Sequence, residues 1–293
     1  MKTAYMFPGQ GSQAIGMGKE LYDASPIARE VFDKVEAALG GGLLDLIWGG
    51  TMEELSQAKN SQPAIFAVSM AMWTERGGLN AAGDAVIFGH SLGEYSALCA
   101  AGAIGITDAA QLLRRRGELM QSAVPAGVGA MAAVIGIGWT MDDVAAICAE
   151  ASVGGKVASV ANDNGIGQVV ISGACEAVEK VVEIALTKEG VKLAKVLPIS
   201  VPAHSAMMEP MVAEFRAAVE AITWTVPKLP FISNKTADVM SDVAEITEAL
   251  IFQLTHGVRF QECVLRAQGL GMSDFVEIGP GNLLSAIVRR IIA

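Results

Sequence analysis

An α/β fold with a mainly parallel sheet and a small inserted subdomain is what this sequence predicts, on three observations. Short apolar runs alternate with amphipathic stretches of helical period through the N-terminal part. One of those runs passes into a helix across Gly89-His90-Ser91-Leu92-Gly93. Between about 127 and 196 the order becomes strand, helix, strand, strand, helix, strand, with glycines at the seams.

Thr3 to Phe7 reads as the first strand, followed by the turn Pro8-Gly9-Gln10-Gly11-Ser12. Ile27 to Leu39 has the spacing of an amphipathic helix, and Met52 to Leu55 that of a shorter one. Ser61 is placed to cap a helix that opens near Pro63 and carries Ile65, Val68 and Met72. Ala85 to Phe88 is a buried strand and Glu94 to Ala100 a helix; Thr107 is expected to cap the next helix, which runs to about Ser122. In the middle segment Ala130–Ile135, Val157–Val160, Gln168–Ser172 and Val191–Leu197 read as strands, with helices at Met141–Ala151 and Glu176–Thr187. The chain then returns to the large domain. It ends with a strand at Asp274–Ile278, the turn Gly279-Pro280-Gly281 and a helix bearing Arg289 and Arg290. The expected organisation is a large α/β-hydrolase-like domain from 1–126 and 197–293, with a ferredoxin-like subdomain at 127–196.

Composition excludes several classes. Of 293 residues, 52% are hydrophobic and only 5% aromatic, which suits helices closely packed on a sheet. No apolar run reaches the roughly 18 residues of a membrane span, and the opening Met1–Phe7 has too short an apolar core for a signal peptide. The four cysteines are scattered without a C-x-x-C pair, as reduced thiols of a cytoplasmic protein would be. A net charge of −10 argues against nucleic-acid binding.

The chemistry starts at Ser91. A strand that turns sharply into a helix at a serine flanked by glycines exposes the hydroxyl at the strand's C-terminal end, and the amide of Leu92 opens the helix toward it. A hydroxyl needs a base, and this chain has three histidines. His90 adjoins Ser91 and points elsewhere, as a pocket wall; His256 sits beside a turn, as a surface residue. His204 lies where the chain leaves the small subdomain, in a loop able to line a cleft, and is the expected base. Arg116 is the other signal. On the 108–121 helix it falls in the middle of the apolar stripe formed by Ala109, Leu112, Leu113, Leu119 and Met120. A guanidinium buried there requires an anion, either a protein carboxylate or one brought by a substrate. Gly9-Gln10-Gly11-Ser12-Gln13-Ala14 partly matches a dinucleotide fingerprint, but Pro8 precedes it and no acidic residue ends a second strand about 20 positions on, where Arg29, Glu30 and Asp33 look helical. A better use of that turn is a second amide, at Gln10, aimed at the same oxyanion as Leu92.

With these residues assembled, the chain resembles the malonyl-CoA:acyl carrier protein transacylase family over essentially its whole length. The matching runs are Phe7-Pro8-Gly9-Gln10-Gly11-Ser12-Gln13, Ser61-Gln62-Pro63-Ala64, Gly89 to Leu98, Arg116-Gly117, Gly129-Ala130-Met131, Gln168 to Gly173, Val201-Pro202-Ala203-His204 and Glu277 to Gly281. The resemblance implies that Ser91 carries the acyl group, His204 is the base, Arg116 holds the malonyl carboxylate, and the amides of Gln10 and Leu92 form the oxyanion hole. It implies further that Gln253 braces the histidine through its main-chain carbonyl and that Asn162 and Asn164 lie near the pocket. Malonyl-CoA and an acyl carrier protein are the implied partners, with a monomeric enzyme and no metal or cofactor. Ile166, where the family usually has proline, and Thr255-His256-Gly257 depart from the pattern and put local loop shape and carrier contacts in doubt. An acidic carrier would need a local basic patch on this acidic chain, for which Arg114-Arg115 and Arg289-Arg290 are candidates. The competing expectations are a serine hydrolase, which would brace its histidine with a carboxylate and pair Arg116 internally, and a non-catalytic scaffold.

Overall fold

Alternation along the strands explains why this chain needs helices on both sides of a sheet. In the computed structural model, which describes residues 2–125, 127–199 and 201–293, strands β1 (Thr3–Phe7) and β2 (Ala85–Gly89) pair in parallel. Successive side chains point to opposite faces. Tyr5, Phe7 and Ile87 therefore enter one core with the Ala58–Glu75 and Ile106–Ala123 helices, while Ala4, Met6, Val86 and Phe88 enter a second with the Phe260–Gly269 and Leu283–Ile291 helices. A strand covered on both faces has no polar side, hence the continuous apolar runs.

The remaining strands are β3 (Gly129–Gly136), β4 (Ala158–Asp163), β5 (Gln168–Ala174), β6 (Val191–Val196), β7 (Phe231–Ile232), β8 (Val239–Met240) and β9 (Asp274–Glu277). Among the described residues the first sheet has the order β8-β7-β2-β1-β9, parallel except for the β7–β8 pair. The second has the order β4-β5-β3-β6 and is wholly antiparallel. Its inner face, from Ala132, Val134, Val169 and Ile171, is covered by the Met141–Ala151 and Cys175–Leu186 helices through Val144, Ile147, Val178 and Val181.

Two helix starts differ from the sequence expectation. The helix assigned to Pro63 begins at Ala58, after an extended Gln57, and holds Pro63 inside it; Ser61 is no cap, its hydroxyl donating to the Gln57 carbonyl. The helix assigned to Thr107 begins at Ile106, after Gly105, so Thr107 lies within the first turn. Elsewhere the expected elements stand within a few residues, with Ser25 capping Pro26–Ala38 and a Thr51–Glu54 capping box opening Met52–Ser56. β4 runs three residues further than expected, to Asp163, and so carries Asn162 within a strand. β6 stops at Val196 and β9 at Glu277, each one residue short of its expected end.

Two glycines let the first sheet meet the helix that follows β2. A Cβ on Gly89 would come within 2.0 Å of the Gly93 carbonyl carbon, and one on Gly93 within 2.1 Å of the Phe7 oxygen. Both neighbours are backbone and cannot yield. Gly93→Ala is expected to lower stability by at least about 2 kcal/mol, read as a drop in the thermal midpoint by calorimetry. An unchanged midpoint would show that the helix can move off β1.

Candidate active site

Backbone geometry puts Ser91 where a nucleophile belongs. The turn between β2 and the Gly93–Ala100 helix holds Ser91 at φ 54°, in the left-handed region that costs a non-glycine residue about 1–3 kcal/mol. Asn234 braces it, accepting from the Ser91 amide (3.0 Å) and donating to the Gly89 carbonyl (2.8 Å). Asn234 follows the C-terminal end of β7, beside β2 in the parallel part of the sheet, where α/β proteins gather their functional groups.

His204 meets Ser91 from the far side, its Nε2 2.7 Å from the serine Oγ. It too has a positive φ, 61°, and its amide donates to the Leu254 carbonyl. Its Nδ1 lies 2.7 Å from the main-chain oxygen of Gln253. A carbonyl can only accept, so Nδ1 carries the proton and Nε2 is left free to accept one from Ser91. Burial, together with the Arg116 charge, pushes the His204 imidazole down to about 3.

Arg116 is 1% exposed. Its Nη1 donates to Gln62 Oε1 (2.8 Å) and its Nη2 to Gln253 Oε1 (2.9 Å), with Nη2 also 3.3 Å from Ser91 Oγ. The Tyr95 ring lies 5.5 Å from the guanidinium carbon, and the buried Nε has no partner among the described residues. Every direct acceptor is thus neutral. The carboxyl acting on it through space, Glu94, is buried completely and pushed up to about 8 by desolvation, against the opposing pull of its hydrogen-bond donors and of Arg116. Arg116 therefore keeps its positive charge without an ion-pair partner in direct contact among the described residues.

The remaining expected residues surround a cleft of about 420 Å³ lined by Gln10, His90, Ser91, Asn162 and Asn164, with Met131, Val170, Leu284 and Ile287 as apolar walls. The main-chain amides of Gln10 and Leu92 donate to no protein group among the described residues. His90 Nε2 is 2.9 Å from Asn164 Oδ1, and burial lowers the His90 pKa. The Nδ2 of Asn162 is buried without a partner. His256 is exposed and stacks on Phe252. Of the basic pairs, Arg114 donates to Asn60 and Arg115 pairs with Glu118 and Glu214, while Arg290 reaches Gln168 at the cleft wall. Sequence reasoning missed Glu94, Asn234 and the amide of Gln62. A two-residue β7 has no readable periodicity, so nothing marked Asn234 as standing at a strand end.

The depressed His204 has a sign that can be checked. Between its ordinary value of 6.5 and about 3, the unfolded chain binds a proton there that the folded chain refuses. That group therefore removes stability as pH falls through the window. The imidazole in the folded protein meanwhile stays neutral and able to act as base. Labelling of Ser91 by diisopropyl fluorophosphate, an uncharged reagent, is expected to keep its rate from about pH 7 down to about pH 5. A limb falling through 6.5 would show an unshifted imidazole.

The family model described as acyl transferase domain matches residues 4–293. The malonyl CoA-acyl carrier protein transacylase of Bacillus subtilis is 42% identical over 290 residues, covering 99% of this chain and 90% of the relative. A crystal structure of an acyl carrier protein S-malonyltransferase from Vibrio cholerae superposes with a TM-score of 0.94 at 40% identity, covering 100% of this chain and 94% of that one. A malonyl-transacylase solved in complex with a type II polyketide acyl-carrier protein gives 0.93 at 38% identity, with 100% and 93% covered. With this likeness along its whole length, the chain belongs to the acyl transferase family, among its malonyl-CoA:acyl carrier protein transacylases.

Proposed function

We propose that this protein moves a malonyl group from malonyl-CoA to the phosphopantetheine thiol of an acyl carrier protein, through an acyl-serine intermediate, to supply fatty-acid elongation. The observation that carries the reading is one atom with two neighbours: Ser91 Oγ stands 2.7 Å from His204 Nε2 and 3.3 Å from an unneutralised Arg116. A base and a fixed cation on the same hydroxyl suit an acyl group that bears its own carboxylate. The two partners are those named for the relatives, one of which was solved with its carrier bound.

In the first half-reaction His204 Nε2 takes the Ser91 proton as Oγ bonds to the thioester carbonyl carbon. The oxyanion is held by the amides of Gln10 and Leu92. The C–S bond then breaks, and the proton passes from His204 to the departing coenzyme A sulfur. In the second half the carrier's thiol gives its proton to His204, its sulfur attacks the ester carbonyl, and Ser91 regains the proton as the C–O bond breaks. Thioester and oxygen ester are close in energy, so the cycle is reversible, requires no cofactor and obeys ping-pong kinetics. Arg116 binds the malonyl carboxylate with its planar fork, while Asn162 and His90 line the acyl path. The finer architecture that supports this is a hydrolase-like domain of residues 1–126 and 197–293, with a ferredoxin-like subdomain at 127–196 forming the opposite wall.

A hydrolase reading is disfavoured by the Nδ1 partner of His204, a main-chain carbonyl rather than a carboxylate. After exposure to malonyl-CoA, the intact protein is expected to gain the mass of one malonyl group on Ser91 and lose it to added holo-carrier. Loss to water instead would identify a hydrolase, and absence of any adduct would remove the covalent route. Arg116→Ala should lower kcat/KM for malonyl-CoA by about a hundredfold and leave acetyl transfer unchanged or faster. Equal losses on both substrates would make the arginine structural.

A further inference from the structure

Glu94 has no part in the steps above, yet its carboxyl is bonded to both of the straps that hold the reacting atoms. Its side chain is fully buried at the first turn of the helix behind Ser91. Oε1 accepts from the main-chain amide of Asn234 at 2.6 Å, and Oε2 from the side-chain Nε2 of Gln253 at 2.5 Å. Asn234 in turn holds the elbow at the Ser91 amide and the Gly89 carbonyl. Gln253 holds the other two groups, Arg116 through Oε1 and His204 through its main-chain oxygen.

The chemistry of the carboxamide makes the direction of this contact matter. Gln253 Nε2 faces acceptors, Glu94 Oε2, the Ser91 carbonyl (3.1 Å) and, more distantly, Asn234 Oδ1 (3.4 Å), while its Oε1 faces the Arg116 guanidinium. Turned over, the amide would set an N–H₂ against the guanidinium and an oxygen against the Ser91 carbonyl. In either protonation state a carboxyl offers a lone pair from each oxygen, so both donors are satisfied. A carboxamide at position 94 offers them from one oxygen only and must oppose its own N–H₂ to the other donor. The helix that carries Glu94 also carries Tyr95, under Arg116, so both side chains are set by the same first turn.

We propose that Glu94 is a positioning residue for the transfer reaction: it fixes which way the Gln253 amide points and strengthens that amide's own long contact with Asn234 by two short bonds, so that Arg116, His204 and the Ser91 elbow are registered on one carboxyl. The proposal deepens the reading of this site as an acyltransferase and touches no substrate atom itself.

The test measures the rate at which diisopropyl fluorophosphate labels Ser91, a reaction in which Oγ bonds to phosphorus, the P–F bond breaks and His204 takes the proton. It does not depend on which acyl group is the natural one. A protein that labels normally but never accepts malonyl refutes the substrate reading and leaves this one standing. Glu94→Gln is expected to label about tenfold more slowly while its far-ultraviolet circular dichroism stays that of the parent. Gln253→Met, which keeps the volume and removes both ends of the amide, is expected to show a loss of the same size. In a double-mutant cycle the two losses should not add, because Glu94 acts through Gln253. Parental labelling in Glu94→Gln, or a double variant whose loss is the product of the single ones, overturns the proposal. If Glu94→Gln does not fold, Gln253→Met decides alone: a parental rate there sinks the idea.

Discussion

A buried guanidinium whose direct hydrogen-bond acceptors among the described residues are all neutral is the constraint around which this molecule is arranged. Taking Arg116 out of water is costly unless its protons are satisfied. The chain meets part of that cost with the oxygens of Gln62 and Gln253 and the face of Tyr95, and leaves Nε without a partner. A carboxylate in place of either amide would have been the cheaper solution for the folded protein. It would also have cancelled the charge to which the proposed function assigns the malonyl carboxylate. The site therefore holds its cation by dipoles, at a cost to stability, and in the proposed function that cost is recovered when an anionic ligand binds.

The same charge explains the brace on the histidine. Hydrolase-type sites commonly orient the imidazole with a carboxylate, which also stabilises the imidazolium. Here Nδ1 is bonded to the Gln253 carbonyl, and Gln253's own side chain sits on Arg116. An aspartate in that position would form an ion pair with the guanidinium and draw it away from Ser91. A carbonyl dipole orients the ring equally well and leaves the cation alone. The consequence is an imidazole pushed down to about 3, with burial and Arg116 acting in the same direction. In the proposed transfer such an imidazole would hold a proton weakly and pass it on readily to a leaving thiolate.

Residues that interrupt a pattern were legible in the sequence. Ser91 announced itself because a strand-to-helix corner between two glycines has one economical conformation, and Arg116 because it breaks an apolar stripe. β1, β2, β9 and the four antiparallel strands have enough periodicity to be read, within a few residues at their ends. The helix Ala58–Glu75 was misplaced at its start because it is buried almost all round. With no polar face, Ser61 looked like a cap, whereas Gln57 makes the turn by its backbone alone. The stretch between His204 and β9 was read only at Gln253 and His256. It holds the Glu209–Glu220, Val243–Phe252 and Phe260–Gly269 helices and two strands of two residues each. Roles played by main-chain atoms, such as the Gln253 carbonyl, leave no mark in a side-chain pattern; that one was reached through resemblance.

The two walls of the cleft share backbone hydrogen bonds. The edge strand β4 of the antiparallel sheet runs beside the segment that leads into the Phe260–Gly269 helix, with Asp163 donating to the Val258 carbonyl (2.9 Å) and Val258 to the Ala161 carbonyl (2.8 Å). Asn162 lies between those two bonds, with the register of β4 shifted just before it and its own side chain lining the cleft. An edge that would otherwise be open is thereby capped by the neighbouring layer. The position of Asn162 relative to Ser91 is then fixed by backbone rather than by side-chain packing. At the other end of the sheet, β6 leads directly through Leu197, Pro198 and Ile199, which also line the cleft, toward His204. The antiparallel sheet thus holds one wall by an edge strand and leads into the segment that delivers the base. In the proposed transfer, a slot fixed at both ends favours whichever nucleophile can reach Ser91 along it, a long thiol-bearing arm over a freely mobile water.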